Sequence, residues 1–117
     1  HYMDEAEQLC DRIVVLDRGV IVAVGSPREL IDRHASHEVL ELRFEAGAEA
    51  VSAEKIRDAG IGDRIEILAA RLLCSTDDGE TALAAVHRLG IRPVNVVVRR
   101  STLEDVFLSL TGRTLID

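Results

Sequence analysis

The sequence predicts an α+β protein that joins a short strand–turn–strand–helix segment to a small mixed domain. Three observations support this class. Apolar residues run without interruption at 13–16, which is typical of a strand that is covered on both faces. Apolar and charged residues alternate at 40–45, as in a half-buried strand. Helical spacing of apolar residues over 81–89 ends at a glycine, which is typical of a helix C-terminus.

Composition limits the classes of protein that the chain can belong to. Its 117 residues suit one ordinary domain or two very small ones. Hydrophobic residues make up 47 % of the chain but aromatic residues only 3 %, so aliphatic side chains must fill the core. This apolar fraction excludes disorder of the whole chain.

Charge and hydropathy exclude further classes. The formal net charge is −7, and no basic run or stripe is present, so we expect no nucleic-acid partner. The longest apolar runs have five residues, whereas a membrane span needs about twenty, so we expect no membrane insertion. The acidic start, with Asp4 and Glu5, is unlike a secretory signal.

The first segment, residues 1–35, contains short predicted elements that are separated by turn and capping residues. In order it predicts a helix at 4–11, a strand at 13–16, a turn at 17–19, a strand at 20–24 and a helix at 26–34. Ser26 and Glu29 have the spacing of a capping box, with Pro27 at the first helical position. A lone hairpin is marginally stable in water, and we expect this segment to have no cover of its own. The segment therefore predicts the end of a larger domain whose main body lies upstream.

The second part, residues 38–117, predicts a small domain with its own core. Its elements are a strand at 39–44, a helix at 51–59, strands at 61–67 and 71–75, a helix at 81–89, a strand at 94–98 and a terminal helix from Ser101. Ser101 and Glu104 predict a capping box, and Gly112 ends the helix. The helix has an apolar stripe of Leu103, Val106, Phe107 and Leu110, which we expect to lie in the core. This order favours a ferredoxin-like (βαββαβ) accessory domain with a C-terminal helix.

Four stretches of the first segment follow one another in a fixed order. They are His1-Tyr2-Met3-Asp4-Glu5-Ala6-Glu7, Cys10-Asp11-Arg12-Ile13, Leu16-Asp17-Arg18-Gly19-Val20-Ile21 and Gly25-Ser26-Pro27-Arg28-Glu29-Leu30. Together they resemble the end of an ABC transporter ATPase domain. The tail from Ser101 to Gly112 resembles the closing helix of the accessory C-terminal domain in daunorubicin-resistance (drug-resistance) exporter ATPases. The middle of the chain is supported by its pattern alone.

The resemblance implies a catalytic role for one residue. His1 occupies the position of the family's switch histidine, which binds the γ-phosphate of ATP and helps to position the attacking water. A histidine left by a purification tag is the alternative. The strand that would hold His1 is missing, so we expect it not to function in this chain.

The same resemblance implies ATP and magnesium in a longer parent chain, but this sequence lacks their binding motifs. It has no phosphate loop of the form Gly-x-x-x-x-Gly-Lys-Ser/Thr, no signature loop and no apolar strand that ends in acidic ligands. Its only lysine, Lys55, falls in a predicted helix. We expect the chain alone to hold no cofactor and not to hydrolyse ATP.

Other residue types that often carry chemistry predict no site. His34 and His37 lie three apart, but a metal site needs three or four ligands, so we expect no metal. Cys10 and Cys74 have no motif spacing and are expected to be buried, reduced thiols.

Two charged pairs receive structural interpretations. Asp77 and Asp78 are typical turn residues. Arg99 and Arg100 end a strand, and we expect one of them to pair with Glu104; a phosphate contact is the alternative.

Two functional hypotheses follow. In the first, the chain is the C-terminal part of an ABC exporter's ATPase subunit, of the drug or lipid efflux type, and its accessory domain regulates or assembles the ATPase dimer. The partners are then a second ATPase subunit and a transmembrane permease, and the location is cytoplasmic, at the inner face of the membrane. The alternative is a free-standing ferredoxin-like module that senses a ligand or binds a protein.

Overall fold

The structure is a computed structural model that describes Leu9 and residues 11–112. Its strands are β1 (Ile13–Asp17), β2 (Val20–Gly25), β3 (Glu38–Arg43), β4 (Arg64–Leu68), β5 (Arg71–Thr76) and β6 (Asn95–Arg100). Its helices are α1 (Pro27–His34), α2 (Glu49–Asp58), α3 (Gly79–Arg88) and α4 (Leu103–Thr111). The strands form two antiparallel sheets, β1-β2 and β4-β5-β3-β6. The predicted mixture of helices and strands is confirmed; the helix predicted at 4–11 lies outside the described residues.

The described chain divides into two compact units. The first unit contains the residues up to Ala35 together with those from Ser101 onward, and the second runs from Ser36 to Arg100. The sequence pattern places the terminal helix in the second part, residues 38–117, whereas in the structure it belongs to the first unit. The second unit therefore lies, along the chain, between two pieces of the first.

In the first unit the β1-β2 hairpin turns at Arg18 and Gly19, both of which have positive φ. Such a turn matches the right-handed twist of the strands that it joins. The buried core of the unit consists of Val15, Ala23, Leu30, Leu103 and Val106. The expectation that this segment has no cover of its own is therefore wrong for one face of the hairpin.

The N-terminus of α1 has the predicted capping box. The Ser26 hydroxyl accepts a hydrogen bond from the Glu29 backbone N–H at 3.1 Å, and the Glu29 carboxylate accepts one from the Ser26 N–H at 2.9 Å. The bonds from Ser26 also lower the pKa of Glu29 below its ordinary value. Pro27, which has no N–H to satisfy, fills the first turn as predicted.

The terminal helix α4 is capped one residue later than predicted. Thr102, not Ser101, is the N-cap residue, and Asp105, not Glu104, completes the box with a 2.8 Å bond from the Thr102 N–H. Ser101 is buried, at 7 % exposure, rather than at the exposed position of a cap. The predicted end is confirmed, since Gly112 adopts the left-handed conformation at the C-cap.

In the second unit the central strand β3 pairs with β5 on one side and β6 on the other. The register joins Glu38 with Thr76 and with Arg100, so the two ends of this unit's chain are neighbours in the sheet. Helices α2 and α3 pack on one face, over a core of Leu40, Leu42, Phe44, Ala53, Ile56, Leu72, Cys74, Ala82, Val86 and Ile91.

Helix α3 begins at Gly79, two residues before the predicted start. Asp78 is its N-cap and accepts hydrogen bonds from the backbone N–H groups of Glu80 and Thr81, at 3.1 and 3.2 Å. The bonds from Thr81 lower the pKa of Asp78 below its ordinary value. The carboxylate of Glu38 also accepts a hydrogen bond from the Gly79 N–H, at 2.7 Å, which ties the start of β3 to the helix.

Candidate functional site

The switch position proposed from the resemblance, His1, lies outside the described residues, as does Cys10. The structure therefore leaves the role of His1 a prediction. The candidate sites described here lie within residues 11–112.

The structure gives no basis for a metal site at the histidines. Helix α1 ends at His34, so His37 lies beyond the helix and the two do not share a helical face. Among the described residues, no group of three or more His, Cys, Asp or Glu side chains is arranged to hold a metal ion.

The residues described do not fit ATP. The chain's single lysine, Lys55, is exposed within α2 and does not follow a glycine-rich loop at a helix N-terminus. A phosphate loop needs successive backbone N–H groups together with that lysine. No step of ATP hydrolysis is therefore assigned to these residues.

Cys74 is a buried thiol in β5, as predicted. Its side chain is fully shielded from solvent, and Sγ lies 3.9 Å from the carbonyl oxygen of Ile61. Burial raises the pKa of Cys74 from 9.0 to about 11, and the negative charge of Asp63 adds to the effect. A thiol with a raised pKa in an apolar environment is a poor nucleophile.

We expect Cys74 to react slowly and to make folding sensitive to high pH. Between pH 9.0 and about 11 the unfolded chain loses the thiol proton while the folded chain keeps it, so the free energy of unfolding falls as pH rises through this range. The same shift reduces the thiolate population about 100-fold. Alkylation of the Cys10→Ser variant, followed by mass spectrometry in native and denaturing buffer, measures the effect. Equal rates in the two buffers would contradict the burial of this thiol.

The hairpin carries an exposed apolar surface on the side away from its core. Val14 lies opposite Val24, and Leu16 lies opposite Ile21, because a bulge at Val22 shifts the register. Their exposed fractions are 52, 41, 55 and 60 %, respectively. These four residues are called the hairpin outer face below. Adjoining exposed apolar side chains of this kind are typical of a surface that packs against another polypeptide.

The face of the four-stranded sheet opposite α2 and α3 carries charged side chains. One carboxylate oxygen of Glu41 lies 3.5 Å from Nε of Arg99 and 3.8 Å from a terminal nitrogen of Arg71. Arg99 therefore pairs with Glu41 in the neighbouring strand, and no ion pair with Glu104 is found among the described residues. This cluster could not be predicted from the sequence, because it depends on the register of three strands.

A second surface feature is an open cleft of about 250 Å³ at the end of α2. Arg57, Gly60, Gly62, Asp63 and Arg64 contribute to its lining. The cleft lies beyond the C-terminal end of the helix, where the helix dipole disfavours an anion.

None of the helices in the part of the chain that the structure describes has both the length and the apolar character needed to span a membrane.

Comparison with known proteins gives one consistent class. A family model described as "Nodulation factor export protein NodI, C-terminal domain" matches residues 28–112. Nod factor export ATP-binding protein I of Mesorhizobium japonicum is 38 % identical over 98 % of this chain and 32 % of its own length. The proteins of the same name from Rhizobium etli and Burkholderia pseudomallei are 40 and 38 % identical, over 98 and 100 % of this chain and 34 and 36 % of their own lengths.

These matches place the chain in one family of C-terminal domains, because the family model covers residues 28–112, which is most of the chain. The chain belongs to the family of NodI C-terminal domains. It spans about a third of the length of the curated relatives that it matches.

Proposed function

We propose that the chain is the C-terminal part of the ATP-hydrolysing subunit of an ABC exporter. The observation that carries this proposal is the match of nearly the whole chain, hairpin included, to about a third of proteins named as export ATP-binding proteins. The remaining two thirds of such a parent chain would hold ATP and magnesium. The residues described here would contribute packing and contacts rather than chemistry.

Within this proposal the two units have different tasks. The first 35 residues finish the nucleotide-binding domain, and α4 completes their core. Residues 36–100 form the accessory domain, which regulates or assembles the ATPase. The element order of this domain and its strand order, β4-β5-β3-β6, support a ferredoxin-like arrangement.

The proposed partners are a second ATPase subunit and a transmembrane permease, through which the parent chain associates with the cytoplasmic face of the membrane. The names of the relatives support export as the direction of transport. The cargo is proposed to be of the drug or lipid type that the tail resembles, or the Nod factor that the relatives' names give.

The hairpin outer face supports the assignment of the first unit. Val14, Leu16, Ile21 and Val24 are 41–60 % exposed here, although a strand of this composition is typical of a sheet that is covered on both sides. We propose that the preceding part of the parent chain covers this surface and that the hairpin is an outer element of the nucleotide-binding domain.

The first test is to determine the coding sequence upstream of His1 and to assay the full-length product. We expect a phosphate loop, a signature loop and an acidic strand in that sequence, and an ATPase activity that is lost when the phosphate-loop lysine is replaced by alanine. A start codon at or near Met3 would contradict the proposal and favour the free-standing module.

The second test compares one substitution in two chains. Leu16→Asp should change the stability of the 117-residue chain little, since this side chain is 55 % exposed there. In the full-length subunit it should lower the melting temperature and the ATPase activity, because it places a charge in a buried contact. Val51→Asp, at an exposed valine of α2, is the matched control and should leave both chains unchanged. Equal effects of Leu16→Asp in the two chains would contradict the docking of the hairpin.

A further inference from the structure

The sheet face opposite α2 and α3 carries a row of polar side chains at the end where β3 finishes and β5 begins. Arg43 lies directly opposite Arg71 in β5 and opposite Asn95 in β6. Like charges at directly opposed positions of a sheet are destabilising. The register therefore places two positively charged residues at directly opposed positions of neighbouring strands.

The neighbouring acid does not neutralise this row. Glu41 brings one carboxylate, and the same oxygen of that group faces both Arg71 and Arg99. Arg43 is exposed and forms no ion pair or side-chain hydrogen bond within the described residues, and the acid that follows it, Glu45, forms none either. The carboxylate of Glu41 is therefore divided between Arg71 and Arg99, and the Arg43 guanidinium adds an exposed positive charge to a chain whose formal net charge is −7.

The row borders a shallow depression of about 60 Å³, lined by Glu41, Arg43, Arg71, Asn95 and Val97, among others. Pockets that bind small molecules usually have volumes of about 300–1,000 Å³. This depression is therefore large enough for a single carboxylate group but too small for a whole small-molecule ligand. Val97 is 42 % exposed beside it and offers an apolar contact. The surface made by Arg43, Arg71, Asn95 and Val97 is called the arginine patch below.

We propose that the arginine patch binds an acidic segment of a partner polypeptide. Guanidinium groups bind carboxylates with two parallel hydrogen bonds, and two such groups side by side suit a segment that carries acids close together. Charge complementarity argues for this occupant. The chain as a whole is acidic and repels a long polyanion such as nucleic acid, whereas a short acidic segment experiences mainly the local positive charge. A second copy that docked through the same face would set arginine against arginine. This inference goes beyond the proposed function and does not depend on it.

The test measures binding of a fluorescent peptide of about eight residues, with glutamates alternating with valines, to the 117-residue chain. We expect saturable binding that weakens about tenfold when the salt concentration rises from about 50 to about 500 mM. The double variant Arg43→Gln/Arg71→Gln should also bind about tenfold more weakly. Its melting temperature should change little, because the loss of the partly exposed Arg71–Glu41 contact is offset by the removal of two directly opposed positive charges.

The matched control is Arg88→Gln, which removes the same charge from an exposed arginine at the end of α3. It should leave peptide binding within about twofold of the wild type. Equal weakening by Arg88→Gln and by the double variant would overturn the proposal in favour of a non-specific charge effect. Tighter binding of a single-stranded oligonucleotide or of anionic vesicles than of the peptide would also overturn it. A concentration-dependent dimer that the double variant abolishes would replace the peptide by a second copy of the chain.

Discussion

Replacing Gly62 by alanine is expected to lower the free energy of unfolding by about 3 kcal/mol, enough to remove much of the stability of a small domain. A Cβ at this position would lie 2.5 Å from Sγ of Cys74 and 2.9 Å from the carbonyl oxygen of Ser75. The φ angle of +74° adds a cost for any residue with a side chain. Urea denaturation followed by circular dichroism measures the change.

Gly60→Ala provides the control for this prediction. Gly60 has a similar φ of +70°, but nothing lies within 4 Å of its Cβ position. Its replacement should therefore cost only the backbone term, about 1–2 kcal/mol. The difference between the two variants isolates the close approach of the 60–63 turn to β5. Equal losses for the two variants would show that this approach does not occur.

Replacing Leu103 by alanine is expected to destabilise the first unit by about 2–5 kcal/mol, because it opens a cavity between α4, α1 and the hairpin. Leu103 is 1 % exposed and belongs to the core that contains Val15 and Leu30. Amide hydrogen exchange resolves the two units. Protection should fall in β1, β2 and α1 and remain in the four-stranded sheet.

Glu104→Ala, at the exposed neighbouring position of α4, should change protection little in either unit. The measurement also decides between two groupings of the terminal helix. If Leu103→Ala reduced protection in β3 to β6 and left the hairpin unchanged, the helix would belong with residues 38–100, as the sequence pattern suggested.

The helices and strands of this fold could be predicted from the sequence more fully than the elements that each of them packs against. Capping residues and helix-ending glycines act within a few residues of the chain, so Ser26 with Glu29 and Gly112 could be recognised directly. The apolar stripe of α4 was also predicted correctly, as Leu103 and Val106 are buried. A stripe does not indicate which surface it packs on, however, and the packing of α4 against the hairpin could not be predicted.

The candidate surfaces show the same limit. The alternation in β3 placed Glu41 and Arg43 on the face opposite Leu40, but their neighbours depend on the pairing of β3 with β5 and β6. The opposition of Arg43 and Arg71 is a property of that register. The exposure of the hairpin outer face could not be predicted either. The apolar run at 13–16 predicts a strand that is buried on both faces, whereas in the structure only one face is buried.

The pairing of Glu38 with Arg100 has a consequence for protein engineering. The first and last strands of the second unit, β3 and β6, lie side by side, so its chain enters and leaves at neighbouring positions. Joining Ala35 to Ser101 through a short linker should therefore remove the second unit and keep the core of the first.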